Sequence, residues 1–386
     1  MEIPRMRLHW TRVDLVNTRN KSVIVVLMSM ISCSSNRIYG RTLHHLWQVL
    51  AILIVLLLAQ IRLASAQPAL RFEFTETHMG SPVHIVLYTT DAQTAKNSAV
   101  KAFARVAELD RIFSDYNPES ELMKLVDRFA EKDQEPVSVS RDLFDILQKS
   151  QRISEATGGV FDITAAPVVR QWRRARRDRK LPTSKNIQEA MCRVGFQRVK
   201  LIEAERRVQL EPGTRLDLGG IAKGYTALEA MKTLQQSNIP SALVSVAGDI
   251  AVGSAPPEQT GWRVAVAGLN PTKDEPLFYL QLTNASISTS GDAERFVEIE
   301  GRRYSHIVDT KTGLGIERRA TVTVVATDGS AADAYATALY ALGVDGVDLL
   351  GRLKNPPDLS VSWLEQSADG KIEKRTNPAF DKLFKK

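Results

Sequence analysis

The stretch Leu216-Asp217-Leu218-Gly219-Gly220-Ile221-Ala222-Lys223-Gly224-Tyr225 decides how this chain is read. It has the form of a short buried strand, then a glycine pair, then a lysine that opens an amphipathic helix expected over 222–237. Such an order turns backbone N–H groups and the positive end of a helix towards a phosphate. The order G-x-x-x-x-G-K-[ST] is not met, because Lys223 is followed by Gly224 and not by a hydroxyl residue.

A second element lies about a hundred residues on, Ser330-Ala331-Ala332-Asp333-Ala334-Tyr335-Ala336-Thr337-Ala338-Leu339. Asp333 and Thr337 are four apart in an alanine-rich helix expected over 330–342, so both oxygens leave from one face. A carboxylate and a hydroxyl beside a phosphate cradle suit a hard cation such as Mg²⁺. A purely structural reading stands beside this one. Ser330-x-x-Asp333 has the form of a capping box, and Thr337 is able to bond back to a carbonyl one turn earlier.

The 386 residues, 44% hydrophobic, suffice for one large core or two modest ones. The net charge of +7 is concentrated at the start: residues 1–66 hold eight Arg and Lys against Glu2 and Asp14, which leaves residues 67–386 with 43 basic and 42 acidic residues. That near-neutral remainder argues against nucleic acid as a partner. Residues 1–66 read as a targeting segment, because the apolar run 46–58 follows basic residues and precedes Ala64-Ser65-Ala66, with cleavage expected before Gln67. The run is shorter than the ~20 residues of a membrane span, which favours a signal peptide over an anchor. The protein is therefore expected to be exported, periplasmic or associated with the outer face of a membrane. Met28 and Met30 are alternative starts. Cys33 lies upstream of the apolar run, away from any cleavage site, and export leaves Cys192 unable to form an internal disulfide. His78, His84 and His306 are too scattered for a zinc site.

Residues 70–90 alternate as a strand with a bend at Met79-Gly80-Ser81, and Ala99, Ala102, Val106, Leu109 and Phe113 have helical spacing over 92–113. Phe113 to Leu122 reads as a loop into a short helix. A helix over 140–156 is stopped by Thr157-Gly158-Gly159, and 160–164 continues as an extended turn. The arginine-dense segment from Arg170 to Lys180 reads as a solvated helical face. Strands are expected at 198–202, 206–210, 242–247, 263–267, 277–283, 295–299 and 320–326, with a final strand pair and a loose terminus beyond Asn355. No repeat or linker divides the chain. It reads as one mixed α+β domain over 67–350, with two lobes around a cleft, between the targeting segment 1–66 and a C-terminal extension over 351–386.

Taken together, the motifs resemble the ApbE family of flavin transferases from about Phe72 to Leu342. The resemblance rests on Met79-Gly80, on Phe113-Ser114-x-Tyr116-x-Pro118-x-Ser120-Glu121, and on Thr157-Gly158-Gly159-x-Phe161-Asp162-x-Thr164-x-x-Pro167. It extends through Asp217 to Tyr225, Ser290-Gly291-Asp292, Tyr304-Ser305-His306-Ile307-x-Asp309 and Ala332-Asp333-Ala334-x-Ala336-Thr337-Ala338-Leu339. Such enzymes cleave the pyrophosphate of FAD and move FMN onto a Thr or Ser hydroxyl of an acceptor protein, releasing AMP. The chemistry is phosphoryl transfer, so the protein's work is positioning and charge neutralisation.

The resemblance implies that Mg²⁺ is held by Asp333, Thr337 and a backbone carbonyl, Gly220 or its near neighbour Ala222. It implies that Tyr116 packs on the flavin or adenine ring, and that Met79, Val160, Phe161, Asp162, Asp217, Lys223 and Ile307 contact FAD. His306 is the candidate general base or orienter of the acceptor hydroxyl, with Asp309 to orient or replace it. The expected acceptor is an exported or membrane redox protein. Three departures stand out: Ala247-Gly248-Asp249 where the family has a glycine pair before an acid, Thr310 where a proline is usual, and the arginine run after Trp172 in place of a glycine-rich segment. The competing functions are an FAD pyrophosphatase using the same site and a non-catalytic exported FAD-binding protein.

Overall fold

The computed structural model describes residues 47–54 and 68–384, apart from 133, 271–275, 294, 352–357 and 368. The expected cleavage site, Cys33 and all of the targeting segment except 47–54 lie outside the described residues. Among those described, no helix is long and apolar enough to cross a membrane.

In chain order the strands are β1 (Leu70–His78), β2 (Ser81–Thr89), β3 (Val137–Ser138), β4 (Val199–Ile202), β5 (Arg207–Leu210), β6 (Ala242–Val246) and β7 (Asp249–Val252). They continue as β8 (Trp262–Val266), β9 (Phe278–Leu282), β10 (Ala285–Gly291), β11 (Phe296–Ile299), β12 (Arg302–Ser305), β13 (Arg319–Ala326), β14 (Ser360–Gln366) and β15 (Ile372–Thr376). The main helices are α1 (Ala92–Phe113), α2 (Glu121–Arg128), α3 (Arg141–Ala156), α4 (Ala166–Asp178), α5 (Ser184–Met191), α6 (Ala222–Gln236) and α7 (Gly329–Leu342).

Eight strands form one sheet in the order β1-β2-β6-β7-β10-β13-β14-β15, antiparallel at every pairing among the described residues. Alternation along β2 sorts its residues between a fully buried face and a partly covered one. Val83, Ile85 and Leu87 join a core with Ala99 and Val106 of α1 and Ala227, Ala230 and Leu234 of α6. Val86 and Tyr88 point the other way, onto a cluster built from the β8–β9 hairpin, Ile287, Val325 and Phe380. Each buried aliphatic side chain contributes roughly 1.5–3 kcal/mol, so the two-sided burial holds the sheet between layers. A third core gathers α2, α3 and α7 against β13 and β14 through Leu143, Leu147, Ala336, Val322 and Trp363. The result is a mixed α/β domain, as the composition and periodicity require.

Several elements depart from the sequence reading. Residues 216–218 belong to no strand; Asp217 N–H donates to Ile163 O at 2.8 Å, and Leu218 O accepts from Ile221 and Ala222 N–H at 3.0 and 2.9 Å. The bend at Met79-Gly80 is a hairpin turn with φ +51° and +65° at its two residues, and it joins β1 to β2. Asp328 caps α7 by accepting from Ser330 N–H, so the Ser330-x-x-Asp333 capping box does not form. Strands β7, β10 and β12 were not legible: β10 is Ala-Ser-Ile-Ser-Thr-Ser-Gly, whose polar Ser286 and Ser288 are nonetheless buried. Its register against β13 pairs Thr289 with Thr323, whose hydroxyls lie 2.9 Å apart.

Candidate active site

The site begins where α6 and α7 cross. A Cβ added to Gly224 would lie 2.1 Å from Gly329 O, and one added to Gly329 would lie 2.2 Å from Gly224 O. Backbone thus meets backbone at the first turns of both helices, which is a position only glycine fills. That approach brings Lys223 of α6 to Asp333 of α7. Gly224 N–H donates to Asp333 Oδ2 at 3.1 Å, and Lys223 Nζ lies 3.4 Å from the same oxygen. The ammonium is closer still, at 2.8 Å, to Asp249 Oδ2 at the start of β7.

Both carboxylates are buried. Burial, with Asp249 beside it, raises the pKa of Asp333 above the usual carboxylate range while Lys223 works in the opposite sense. Burial alone would lower Lys223, but Asp249 and Asp333 outweigh it and hold the ammonium protonated. Thr337, one turn after Asp333, places Oγ1 3.3 Å from Ser290 Oγ. Gly220 closes this corner: a Cβ there would lie 3.2 Å from Thr337 Oγ1 and 3.4 Å from the Phe161 ring. The oxygens gathered here are carboxylate, hydroxyl and backbone, a hard donor set that fits Mg²⁺ or a similar cation. Among the described residues no group of three or more His, Cys, Asp or Glu is placed to hold a metal ion, so a cation here would rest on Asp333 with hydroxyl and backbone oxygens.

These residues open into a cleft of about 420 Å³. Its walls come from Val160–Ala165, α4, the 217–223 segment, the 247–249 turn and residues 289–310. Asp162 accepts from Thr164 N–H at 2.8 Å and from its hydroxyl at 2.6 Å, fixing the turn after Gly159, and burial raises its pKa. Arg173 of α4 spans the entrance, with Nη1 2.6 Å from Asp115 and Nη2 2.7 Å from Asp217. Its guanidinium also stands 4.8 Å from the centre of the Tyr116 ring, which is 76% exposed. Asp217 in turn accepts from Gly219 N–H at 2.7 Å, so one arginine orders both the aromatic loop and the glycine segment.

On the opposite wall, His306 Nδ1 lies 3.0 Å from Arg295 O. A carbonyl only accepts, so Nδ1 carries the proton and Nε2 holds a lone pair. Burial lowers the His306 pKa to about 4, which keeps the ring neutral near pH 7. The loop is tied down by Thr310 Oγ1, which donates to Gly159 O at 2.7 Å. Trp172 Nε1 does the same for the following turn, donating to Gly313 O at 2.9 Å. Thr310, where the resemblance implies a proline, therefore supplies a bond that proline has no donor to make.

A profile of the ApbE family matches residues 79–359. This chain belongs to the ApbE family. It is 28% identical to an FAD:protein FMN transferase of Klebsiella pneumoniae strain 342 over 277 residues, covering 71% of this chain and 83% of that protein. It is also 28% identical to the FAD:protein FMN transferase of Haemophilus influenzae, covering 79% and 89%. The fold superposes on the flavin transferase ApbE of Vibrio cholerae with a TM-score of 0.72 at 23% identity, covering 82% of this chain and all of that one. An ApbE protein of Thermotoga maritima gives 0.70 at 25% identity, covering 81% and 99%.

Of the positions implied by the resemblance to the ApbE family, Tyr116, Val160, Phe161, Asp162, Asp217, Gly220, Lys223, His306, Ile307, Asp333 and Thr337 line one cleft. Met79 and Asp309 are not among its lining residues. Met79 gives its N–H to Asp110 at 2.9 Å in the hairpin turn. The Asp309 carboxylate accepts from Lys311 N–H and Thr312 Oγ1 at 2.8 and 3.0 Å, and so closes its own turn. Sequence reading gave no site role to Asp115, Arg173, Asp249 and Ser290, although Asp249 and Ser290 stand in stretches it singled out. The signal for Asp249 was an acid after Val246-Ala247-Gly248, where a strand ends and a charge has no water to face. Arg173 was hidden in a run of similar residues and does not belong to the solvated face expected of them.

Proposed function

We propose that this protein transfers FMN from FAD to a Thr or Ser hydroxyl of an acceptor protein, with Mg²⁺ and with release of AMP. The observation that carries this reading is the meeting of Asp333, Thr337, Gly220 and Lys223 in the same cleft as His306 and Tyr116. Relatives named FAD:protein FMN transferases over most of their length support it. Asp333, Thr337 and the Gly220 carbonyl would hold the Mg²⁺, with Ser290 beside them. When bound there, the cation would supply positive charge to neutralise the bridging phosphates.

The rest is done by the chain's own groups. Lys223, kept protonated by Asp249 and Asp333, adds a second positive charge at the phosphates. Tyr116, exposed and held by Arg173, offers a ring face for the flavin or the adenine. Phe161, Ile307 and Val160 are apolar walls that keep water from the phosphorus. Neutral His306, with Nε2 free of the Arg295 carbonyl, accepts the proton of the attacking hydroxyl. Export to the periplasm or to the outer face of a membrane, and a redox protein as acceptor, complete the proposal.

The test is to incubate the full chain with FAD, Mg²⁺ and a threonine-containing acceptor peptide, and to follow peptide mass and AMP together. A peptide that gains FMN, with the gain abolished by EDTA, supports the reading. AMP formed without peptide modification points to hydrolysis, and bound FAD with no AMP points to a carrier.

A further inference from the structure

We propose that the basic face of α4 is a docking surface for an acidic segment of the acceptor protein, adjoining the hydroxyl that receives FMN. The proposal rests on the transferase reading above and names the chemistry of its partner. Seven basic residues and one acid lie between Arg170 and Lys180, whereas the remainder of residues 67–386 holds 36 basic and 41 acidic residues. The positive charge of this region is therefore local, set against a background of the opposite sign.

The helix sorts these residues by face. Val168, Trp172 and Ala175 are buried against the domain. Arg173 and Arg176 line the cleft, while Arg170, Arg174 and Arg177 are exposed. Arg173 is three residues from Arg170 and from Arg176 and four from Arg177, so side chains at these spacings are neighbours on the helix surface. The stripe therefore runs from Arg176 on the cleft wall to Arg170, Arg174 and Arg177 outside, with Arg173 between them already paired to Asp115 and Asp217. Among the described residues no carboxylate is within 4.0 Å of Arg170, Arg174 or Arg176, and Arg177 has only its exposed neighbour Asp178.

Like charges four apart oppose helix formation, as in Arg170 with Arg174 and Arg173 with Arg177. The fold keeps this arrangement although it weakens the helix locally, with Arg173 and Arg176 on the cleft wall. A hydroxyl approaching His306 enters the cavity that Arg176 lines, so the chain carrying it passes along the stripe. Carboxylates beside that hydroxyl would be steered by the field of the stripe and held in register by it.

The test uses the full chain, FAD, Mg²⁺ and two synthetic peptides that share a threonine-containing core and differ only in Glu or Lys flanks. The expected result is a KM about tenfold lower for the Glu-flanked peptide at about 50 mM salt, with the gap closing at about 500 mM. The triple variant Arg170→Glu, Arg174→Glu, Arg177→Glu should reverse the preference while FAD affinity is unchanged. The triple Gln variant should abolish the preference without reversing it. Equal KM values for the two peptides, or a preference that survives both variants, would overturn the proposal alone. So would binding of the wild type to anionic phosphatidylglycerol vesicles that the variants lose, with the peptide preference intact, because the stripe would then serve a lipid surface. No FMN on either peptide, with FAD bound, overturns the transferase reading and this proposal with it.

Discussion

Replacing Gly224 by alanine tests the central geometric idea, that a glycine contact between α6 and α7 builds the site. Alanine is the better helix former, so in an open helix the change would stabilise by about 1 kcal/mol. Here the new Cβ would fall 2.1 Å from Gly329 O and 2.8 Å from Asp333 Cβ. Since carbon contacts settle near 3.5 Å, the helices must part by about 1 Å. Overpacking of this kind costs about 1–3 kcal/mol. Parting also stretches the 3.1 Å bond from Gly224 N–H to Asp333, and a buried carboxylate deprived of a donor costs a further 1–3 kcal/mol or so. Allowing for the gain in propensity, the net loss is about 3 kcal/mol. For a folded unit of roughly 320 residues that lowers Tm by about 4–5 °C. Thermal and urea unfolding of the full chain would measure it, with Gly268→Ala as control, because a Cβ there meets nothing within 4 Å. A Gly224→Ala protein as stable as the wild type, or more stable, would refute the reasoning.

Asp333→Asn keeps an oxygen for Gly224 N–H and should fold, yet lower FMN transfer about 100-fold or more and remove any Mg²⁺-dependent rise in Tm; retained transfer would show that the charge is not needed. Arg173→Lys leaves one ammonium where a guanidinium bridges Asp115 and Asp217. It should raise the KM for FAD several-fold and cost roughly 1–2 kcal/mol, measured by kinetics and unfolding; an unchanged KM would remove Arg173 from the site. For His306, burial lowers the folded pKa to about 4 from an ordinary 6.5. The neutral ring's contribution to stability is therefore complete above pH 6.5 and is lost as pH falls towards 4. His306→Gln, which does not titrate, should lose less stability than the wild type over that window, and parallel curves in urea titrations would count against a neutral His306.

Much of the fold was legible because it follows from neighbours in sequence. The helices over 92–113, 140–156, 222–237 and 330–342 announced themselves by apolar spacing, and all four are present to within a residue or so. Strand β10 was illegible because it carries small polar residues where a strand usually shows hydrophobic ones: Ser286 and Ser288 are buried beside Ile287, and Thr289 pairs its hydroxyl with Thr323. Within the site, Asp333 and Thr337 were found together because one helix carries both. The capping-box alternative for Asp333 fails only because Asp328 already holds that position, a preference local sequence left open.

By itself the sequence determined the family, the period of each long element and the two helix starts that carry the site. Tertiary structure alone decided which charges meet. Lys223 pairs with Asp249 and Asp333 because β7 begins beside the crossing of α6 and α7. Arg173 leaves its basic run because α4 turns that one side chain towards Asp115 and Asp217. Periodicity is a property of adjacent residues and is written along the chain. Ion pairing between residues tens to a hundred apart depends on how closely backbones approach, and here two glycines with no side chain to keep them apart set that distance.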